Sequence, residues 1–176
     1  MKKTISLIMA LILAMSLCIG FASCGASGQY TIGICQIQPH AALDAATQGF
    51  KDALIEEFGE GNITFVEQNA QGDSTVCSTI INDFVTKNVD LILANATPSL
   101  QAAANGTATI PILGTAVTEY GTALSIENFS GTVGGNISGT SDLAPLDQQA
   151  QMILDIFPKA KTVAMLYCSG EPNSAY

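Results

Sequence analysis

The chain has 176 residues, a formal net charge of −9 and only 12% charged residues, with no tryptophan. It has no arginine, and its cations are Lys2, Lys3, Lys51, Lys87, Lys159 and Lys161. A surface this acidic lacks the clustered cations that displace phosphate counterions, which argues against nucleic acid as a partner, while the length suffices for one globular domain with a real core.

Residues 1–23 read as a secretory signal. Lys2 and Lys3 open it, Ile5 to Ile19 is an almost unbroken apolar run, and the small residues Ala22 and Ser23 precede Cys24. The run is shorter than the roughly 20 residues of a membrane span, and no charged stop-transfer cluster follows. An uncleaved anchor helix is the competing reading. Phe21-Ala22-Ser23-Cys24 resembles the bacterial lipobox, although Phe21 stands where Leu is usual. That resemblance implies a lipidated Cys24 at the mature N-terminus, with residues 24–29 as anchor and tether and the protein held at the outer face of the membrane. Cys18 is a poorer candidate because Leu17 is bulky. Cys35, Cys77 and Cys168 remain, an odd and scattered set that is no disulfide framework. Cys35 and Cys168 fall in predicted strands and Cys77 on an apolar helix stripe, so all three read as buried structural thiols.

From residue 30 the pattern alternates strand and helix. Tyr30 to Gln36 reads as a strand. Leu43, Ala46, Phe50, Ala53, Leu54 and Phe58 follow at helical spacing and stop at Gly59 and Gly61. Ile63 to Gln68 is a second strand. Asp73 or Ser74 caps a helix whose stripe is Cys77, Ile80, Ile81, Phe84 and Val85, with Asn88 at its end. Val89 to Asn95 is a third strand, continuously apolar as a buried parallel strand should be. Thr97 reads as an N-cap with Pro98 at the first helical position of a short helix to Gly106. Ile110 to Gly114 is a fourth strand. Residues 115–141 read as loop with at most one short strand. Asp142 caps a helix through Phe157, and Thr162 to Cys168 is a further strand. A repeated βα pattern of this kind implies an α/β fold, a parallel sheet flanked by helices on both faces with right-handed crossovers.

Ligands in such sheets sit beyond the C-terminal strand ends. The loops expected there are Gln38-Pro39-His40, Asn69 to Asp73, Asn95 to Ser99, Thr115 to Thr118 and Ser169-Gly170-Glu171. Helix N-termini among them offer free N–H groups to a carboxylate. Thr97, Ser99, Thr115, Thr140 and Ser141 are candidates to hold that carboxylate, or else are capping and turn residues. Glu171 and Asp142 are candidates for an ammonium group, with Asp142 equally an N-cap. Asn69, Asn95 and Asn173 either hydrogen-bond a ligand or occupy turns. His40, the only histidine, either edges the pocket or is a solvated cap, and Asp44 four residues on could pair with it. No second His or paired Cys stands at metal-ligand spacing, so neither a metal nor another cofactor is expected.

Several segments together carry a resemblance. They are Pro39-His40-x-x-Leu43-Asp44, Asn69-Ala70-Gln71-Gly72-Asp73, Ala94-Asn95-Ala96-Thr97-Pro98, Gly134-Gly135-Asn136-x-x-Gly139-Thr140-Ser141-Asp142 and Ser169-Gly170-Glu171-Pro172-Asn173-Ser174. In this order, behind a lipoprotein signal, the chain resembles the ABC-transporter substrate-binding lipoproteins of the tryptophan/tyrosine-binding type. The resemblance implies two α/β lobes closing on a ligand across a hinge. Residues 30–168 would be the N-terminal ligand-binding lobe, and residues 169–176 the start of a second lobe that is almost wholly missing. It also implies an aromatic amino acid, or a related small organic solute, as ligand, and an ABC permease as partner. The site residues would include His40, Gly170 and Asn173, and the protein would be an extracytoplasmic monomer.

Enzyme signatures are lacking. There is no Gly-x-Ser-x-Gly elbow, no phosphate loop, no His-Glu-x-x-His, and no Gly-x-Gly-x-x-Gly after the first strand. A non-enzymatic binding component is therefore expected. The rivals are a sensory ligand-binding domain without transport and a secreted α/β hydrolase.

Overall fold

The structure, a computed structural model, describes residues 29–175. The signal segment and Cys24 lie outside the described residues. Five strands form one all-parallel sheet: β1 (Tyr30–Gln36), β2 (Ile63–Asn69), β3 (Leu91–Asn95), β4 (Ile112–Val117) and β5 (Ile137–Ser141). Their spatial order is β2-β1-β3-β4-β5. The helices are α1 (Ala41–Phe58), α2 (Ser74–Lys87), α3 (Thr97–Gly106), α4 (Tyr120–Leu124) and α5 (Leu146–Ile156).

Two cores sandwich the sheet, because side chains alternate across each strand. On one face Ile32, Ile34 and Leu93 pack under Phe50 and Leu54 of α1. On the other, Cys35, Ile92, Ala94 and Ile112 meet Cys77, Ile80, Ile81 and Phe84 of α2, Leu100 and Ala103 of α3, and Ala123 of α4. Gly33 has a specific packing reason: a Cβ there would run into the Phe84 ring. Tyr120 likewise lies over Gly114 and Gly139, where any side chain would displace it.

Local chemistry fixes the element ends. His40 caps α1, its Nδ1 accepting from Ala42 N at 3.2 Å. Asp73 caps α2 through Thr75 N, and Asn88 closes it in the left-handed conformation, φ 51°.

Several sequence expectations need correction. Thr97 is not an N-cap: α3 begins at Thr97, after Ala96 at φ 83°, and no side chain caps it. β3 starts at Leu91, because Val89 N is still bonded to Phe84 O. β4 is displaced to Ile112–Val117, so Thr115 lies within a strand. Residues 115–141 hold α4 as well as β5. Asp142 does not cap α5, which starts four residues later behind Pro145 with no side-chain cap. The expected strand Thr162 to Cys168 is absent, and its apolar residues Val163, Met165, Leu166 and Tyr167 are exposed. With no neighbour to supply ladder hydrogen bonds, β-propensity alone does not make a strand. Cys168 is accordingly exposed, not buried, whereas Cys35 and Cys77 are fully buried as expected.

Candidate functional site at the C-terminal strand ends

The strand order reverses direction between β1 and β3. In open α/β sheets this is the switch point at which loops leave to opposite faces and open a crevice. Gln36 and Asn95 are the register partners that end these two strands. Both are buried, 3% and 0% exposed, although each is polar. Burial of such groups is tolerated only when they are hydrogen-bonded.

They are bonded to each other and to α1. Gln36 Nε2 donates to Asp44 Oδ1 at 2.6 Å and to Gln38 O at 2.9 Å. Gln36 Oε1 accepts from Thr47 Oγ1 at 2.8 Å. Asn95 Nδ2 donates to Leu43 O and to Thr47 Oγ1, both at 2.9 Å. Asn95 Oδ1, however, is buried without a partner. An unsatisfied buried carbonyl is costly, about 1–3 kcal/mol, and it stands ready for an N–H donor.

A second open acceptor lies near the first turn of α3. Thr97, buried, follows Asn95 by two residues, and its Oγ1 accepts from Asn173 Nδ2 at 3.2 Å. That bond ties the short 3-10 helix Pro172–Ala175 to the first turn of α3. Asn173 Oδ1 is also buried without a partner. Glu171 is partly buried and accepts from Asn173 N at 3.2 Å. The structure thus brings Thr97, Glu171 and Asn173 to one rim, with Gly170 in the turn before them, while Asn95, two residues before Thr97, turns its amide to α1. The free backbone donors of α3 add an electropositive edge there.

The other candidates stand apart from this rim. His40 is exposed and occupied as a cap, and Asp44 turns its carboxylate to Gln36 instead of to the imidazole. Asn69 Oδ1 accepts from Gln71 N and Nε2, a local turn at the end of β2. Thr115 lines a cleft of about 380 Å³ on the α1 face with Phe50, Gly139 and Thr140. Ser141 Oγ donates to Thr118 O at 2.6 Å and accepts from Leu143 N. Asp142 is exposed, and its N–H closes onto Val117 O. Ser99 is wholly inside the core, its hydroxyl 3.6 Å from Cys35 Sγ and 3.7 Å from Cys77 Sγ, with no face toward the loops.

The electrostatics of the β4–β5 corner are set by Glu119 and Tyr120. Burial raises the Glu119 carboxyl, but the N–H groups of Thr122 and Gly121 outweigh it and hold the group below the ordinary carboxylate value. Burial, with Asp142 nearby, pushes the Tyr120 phenol up to about 12. Its hydroxyl donates to Thr140 O at 3.1 Å.

Sequence reasoning passed over Gln36 and Thr47, and it paired Asp44 with His40 instead of with Gln36. A signal existed for Gln36, a long amide closing an otherwise apolar strand. Thr47 sits in mid-helix and carries no local mark of its role. A larger cleft, about 730 Å³, lies elsewhere, between α5 and residues 158–163, and is lined chiefly by Ile153, Ile156, Phe157 and Val163. No group of three or more potential metal ligands occurs among the described residues.

The fold has clear relatives. A curated tyrosine-binding protein from Clostridioides difficile (strain R20291) is 39% identical, over 98% of this chain and 54% of its own length. A Streptococcus pneumonia ABC domain solved in complex with L-Trp superposes with a TM-score of 0.78 and 32% identity, covering 84% of this chain and 50% of that one. A ligand-free, open substrate-binding protein with adhesive properties from Clostridium difficile matches with a TM-score of 0.65 and 43% identity, over 83% and 50% of the two chains. This chain therefore spans about half the length of the relatives it matches. The model of the family described as ABC transporter substrate binding protein matches residues 31–176, and the chain belongs to that family.

Proposed function

We propose that this chain is the ligand-capturing lobe of an extracytoplasmic solute-binding component that delivers an aromatic amino acid to an ABC permease. The observation that carries the reading is that two carbonyl oxygens are buried without a partner at these strand-end loops, Asn95 Oδ1 where β3 ends and Asn173 Oδ1 beside the first turn of α3. Two such acceptors suit the N–H groups of an ammonium ion, and the first turn of α3 suits the carboxylate of the same molecule. No arginine exists to clamp the carboxylate, so hydroxyls and backbone N–H groups must do so. The L-Trp complex and the tyrosine-binding relative support an aromatic side chain on that amino acid.

In this reading the second face of the crevice comes from a further α/β lobe, with residues 30–168 as the first lobe and residues 169–176 at the start of the second. A lipid on Cys24 holds the mature protein outside the membrane. Function is capture and release, with no bond made or broken in the ligand.

The test is a titration of L-tryptophan into the gene product from residue 25 onward, followed by the ligand's own fluorescence. This chain has no tryptophan, so its signal does not interfere. A saturable change, competed by tyrosine and weakened at least tenfold in Thr97→Val, is expected. A folded two-lobed product that gives no change with tryptophan, tyrosine or phenylalanine defeats the aromatic assignment.

A further inference from the structure

Two cysteines far apart in sequence meet in the core. Cys35 lies near the end of β1 and Cys77 in the first turns of α2, and both are fully buried. Both approach one hydroxyl: Cys35 Sγ donates to Ser99 Oγ at 3.6 Å, and Cys77 Sγ lies 3.7 Å from the same oxygen. The proximity of Cys77, with burial adding to it, holds the Cys35 thiol up, while Cys35 and Ser99 hold the Cys77 thiol down. Ordinary packing explains one buried thiol, but not two converging on the same polar atom. Cys77 sits where helix N–H groups favour a thiolate. Neither sulfur touches the strand-end rim, so the ligand site does not account for the pair.

We infer that Cys35 and Cys77 are a dithiol pair that closes to a disulfide, stapling β1 to α2 across the core. Its occurrence in the cell rests on the extracytoplasmic placement proposed above, since disulfides persist in oxidising compartments. The electron acceptor is a small-molecule disulfide. The Cys77 thiolate attacks one of its sulfurs, breaking that S–S bond and releasing one thiol. Cys35, losing its proton, then attacks the Cys77 sulfur of the mixed disulfide and releases the second thiol. One disulfide is consumed, one is formed, and two electrons pass from the protein to the acceptor. Both sulfurs are buried, so exchange runs through opening of the first turns of α2 or during folding. The new bond closes a loop containing α1 and β2 and frees the Ser99 hydroxyl beside the first turn of α3.

The test refolds the protein in mixed oxidised and reduced glutathione, blocks free thiols with iodoacetamide, and maps tryptic peptides without reduction. Cleavage at Lys51 places Cys35 and Cys77 on different peptides, and cleavage at Lys161 separates Cys168. The expected result is one cross-linked pair whose fragment spectrum joins Cys35 to Cys77. The linked form should melt roughly 10 °C higher than the reduced form, a difference that dithiothreitol abolishes and Cys77→Ser lacks. Recovery of Cys35 and Cys77 separately alkylated from the refolded protein overturns the inference, as does a link from either to Cys168. The peptide map of the unsubstituted chain decides the matter even where Cys77→Ser does not fold. Loss of tryptophan binding would leave the map unchanged, so failure of the ligand assignment is read separately.

Discussion

Leu91–Asn95 and residues 162–168 are written in nearly the same alphabet, β-branched and large apolar residues, yet they end differently. The first is β3, central in the sheet, with Ile92 and Ala94 fully buried. The second forms no strand; Val163 is 57% exposed and Leu166 fully so. What separates them is neighbours. β3 lies between β1 and β4, which satisfy its backbone, and helices cover both its faces. Nothing among the described residues does this for residues 162–168. α5 shares their situation, with Leu154, Ile156 and Phe157 all exposed. A hydrophobic pattern is thus a demand for partners, and structure follows only where the demand is met.

The comparison is sharpest in paired truncations. Phe84→Ala should cost about 3–5 kcal/mol, because the ring is fully enclosed against Gly33 and would leave a cavity. Leu166→Ala should change stability by no more than about 0.5 kcal/mol. Urea unfolding of the two variants measures both, and a large loss in Leu166→Ala would show that the exposed segment is packed in solution and break the contrast.

The next effect falls on the polar seam between the cores. Asn95→Leu removes the donors to Leu43 O and Thr47 Oγ1 and sets an apolar side chain against both acceptors. A loss of about 1–3 kcal/mol is expected in the same urea assay. A neutral result would mean that the seam is more hydrated than its burial implies.

The smallest effect lies at the corner between β4 and β5. Glu119 caps α4 with bonds of 2.7 Å to Gly121 N and 2.6 Å to Thr122 N. Glu119→Ala should cost about 1 kcal/mol. The carboxyl is held below its ordinary value in the folded chain, so its stabilisation is present above the unfolded value and is lost as pH falls through the folded one. Thermal midpoints of the parent and Glu119→Ala should therefore converge on acidification, from the ordinary carboxylate range downward. A constant gap across that range would assign the effect to packing instead.

Periodicity made four of the five strands, α1 and α2 legible in the sequence. The end signals of α2, Asp73 and Asn88, are local and were readable as such. α4 was not, because Tyr-Gly-Thr-Ala-Leu is too short for a periodic signal and its cap is a Glu rather than a Ser or Asp. The site was legible as a location, the strand ends, more than as residues. Asn95, Thr97 and Asn173 were candidates among many turn-forming amides and hydroxyls, and the sequence carries no sign of the contact that joins residues 97 and 173. Ser99 looked equivalent to Thr97 by sequence. Two residues on, a little over half a helical turn, it faces the core between two thiols.

The strand order bears on how the chain must assemble. β1 is synthesised first but is paired on both sides by later segments, Ile32 opposite Phe65 in β2 and opposite Leu91 in β3. Every pairing in the sheet is parallel, so none closes through a tight hairpin. β1 therefore waits for β2 to emerge before its first edge is paired and for β3, further on, before its second is, and high contact order makes the folding rate slow compared with a helical bundle of similar size. A chain that stays open this long remains threadable through a narrow secretion pore, while its unpaired Ile and Leu residues expose it to aggregation in the interval.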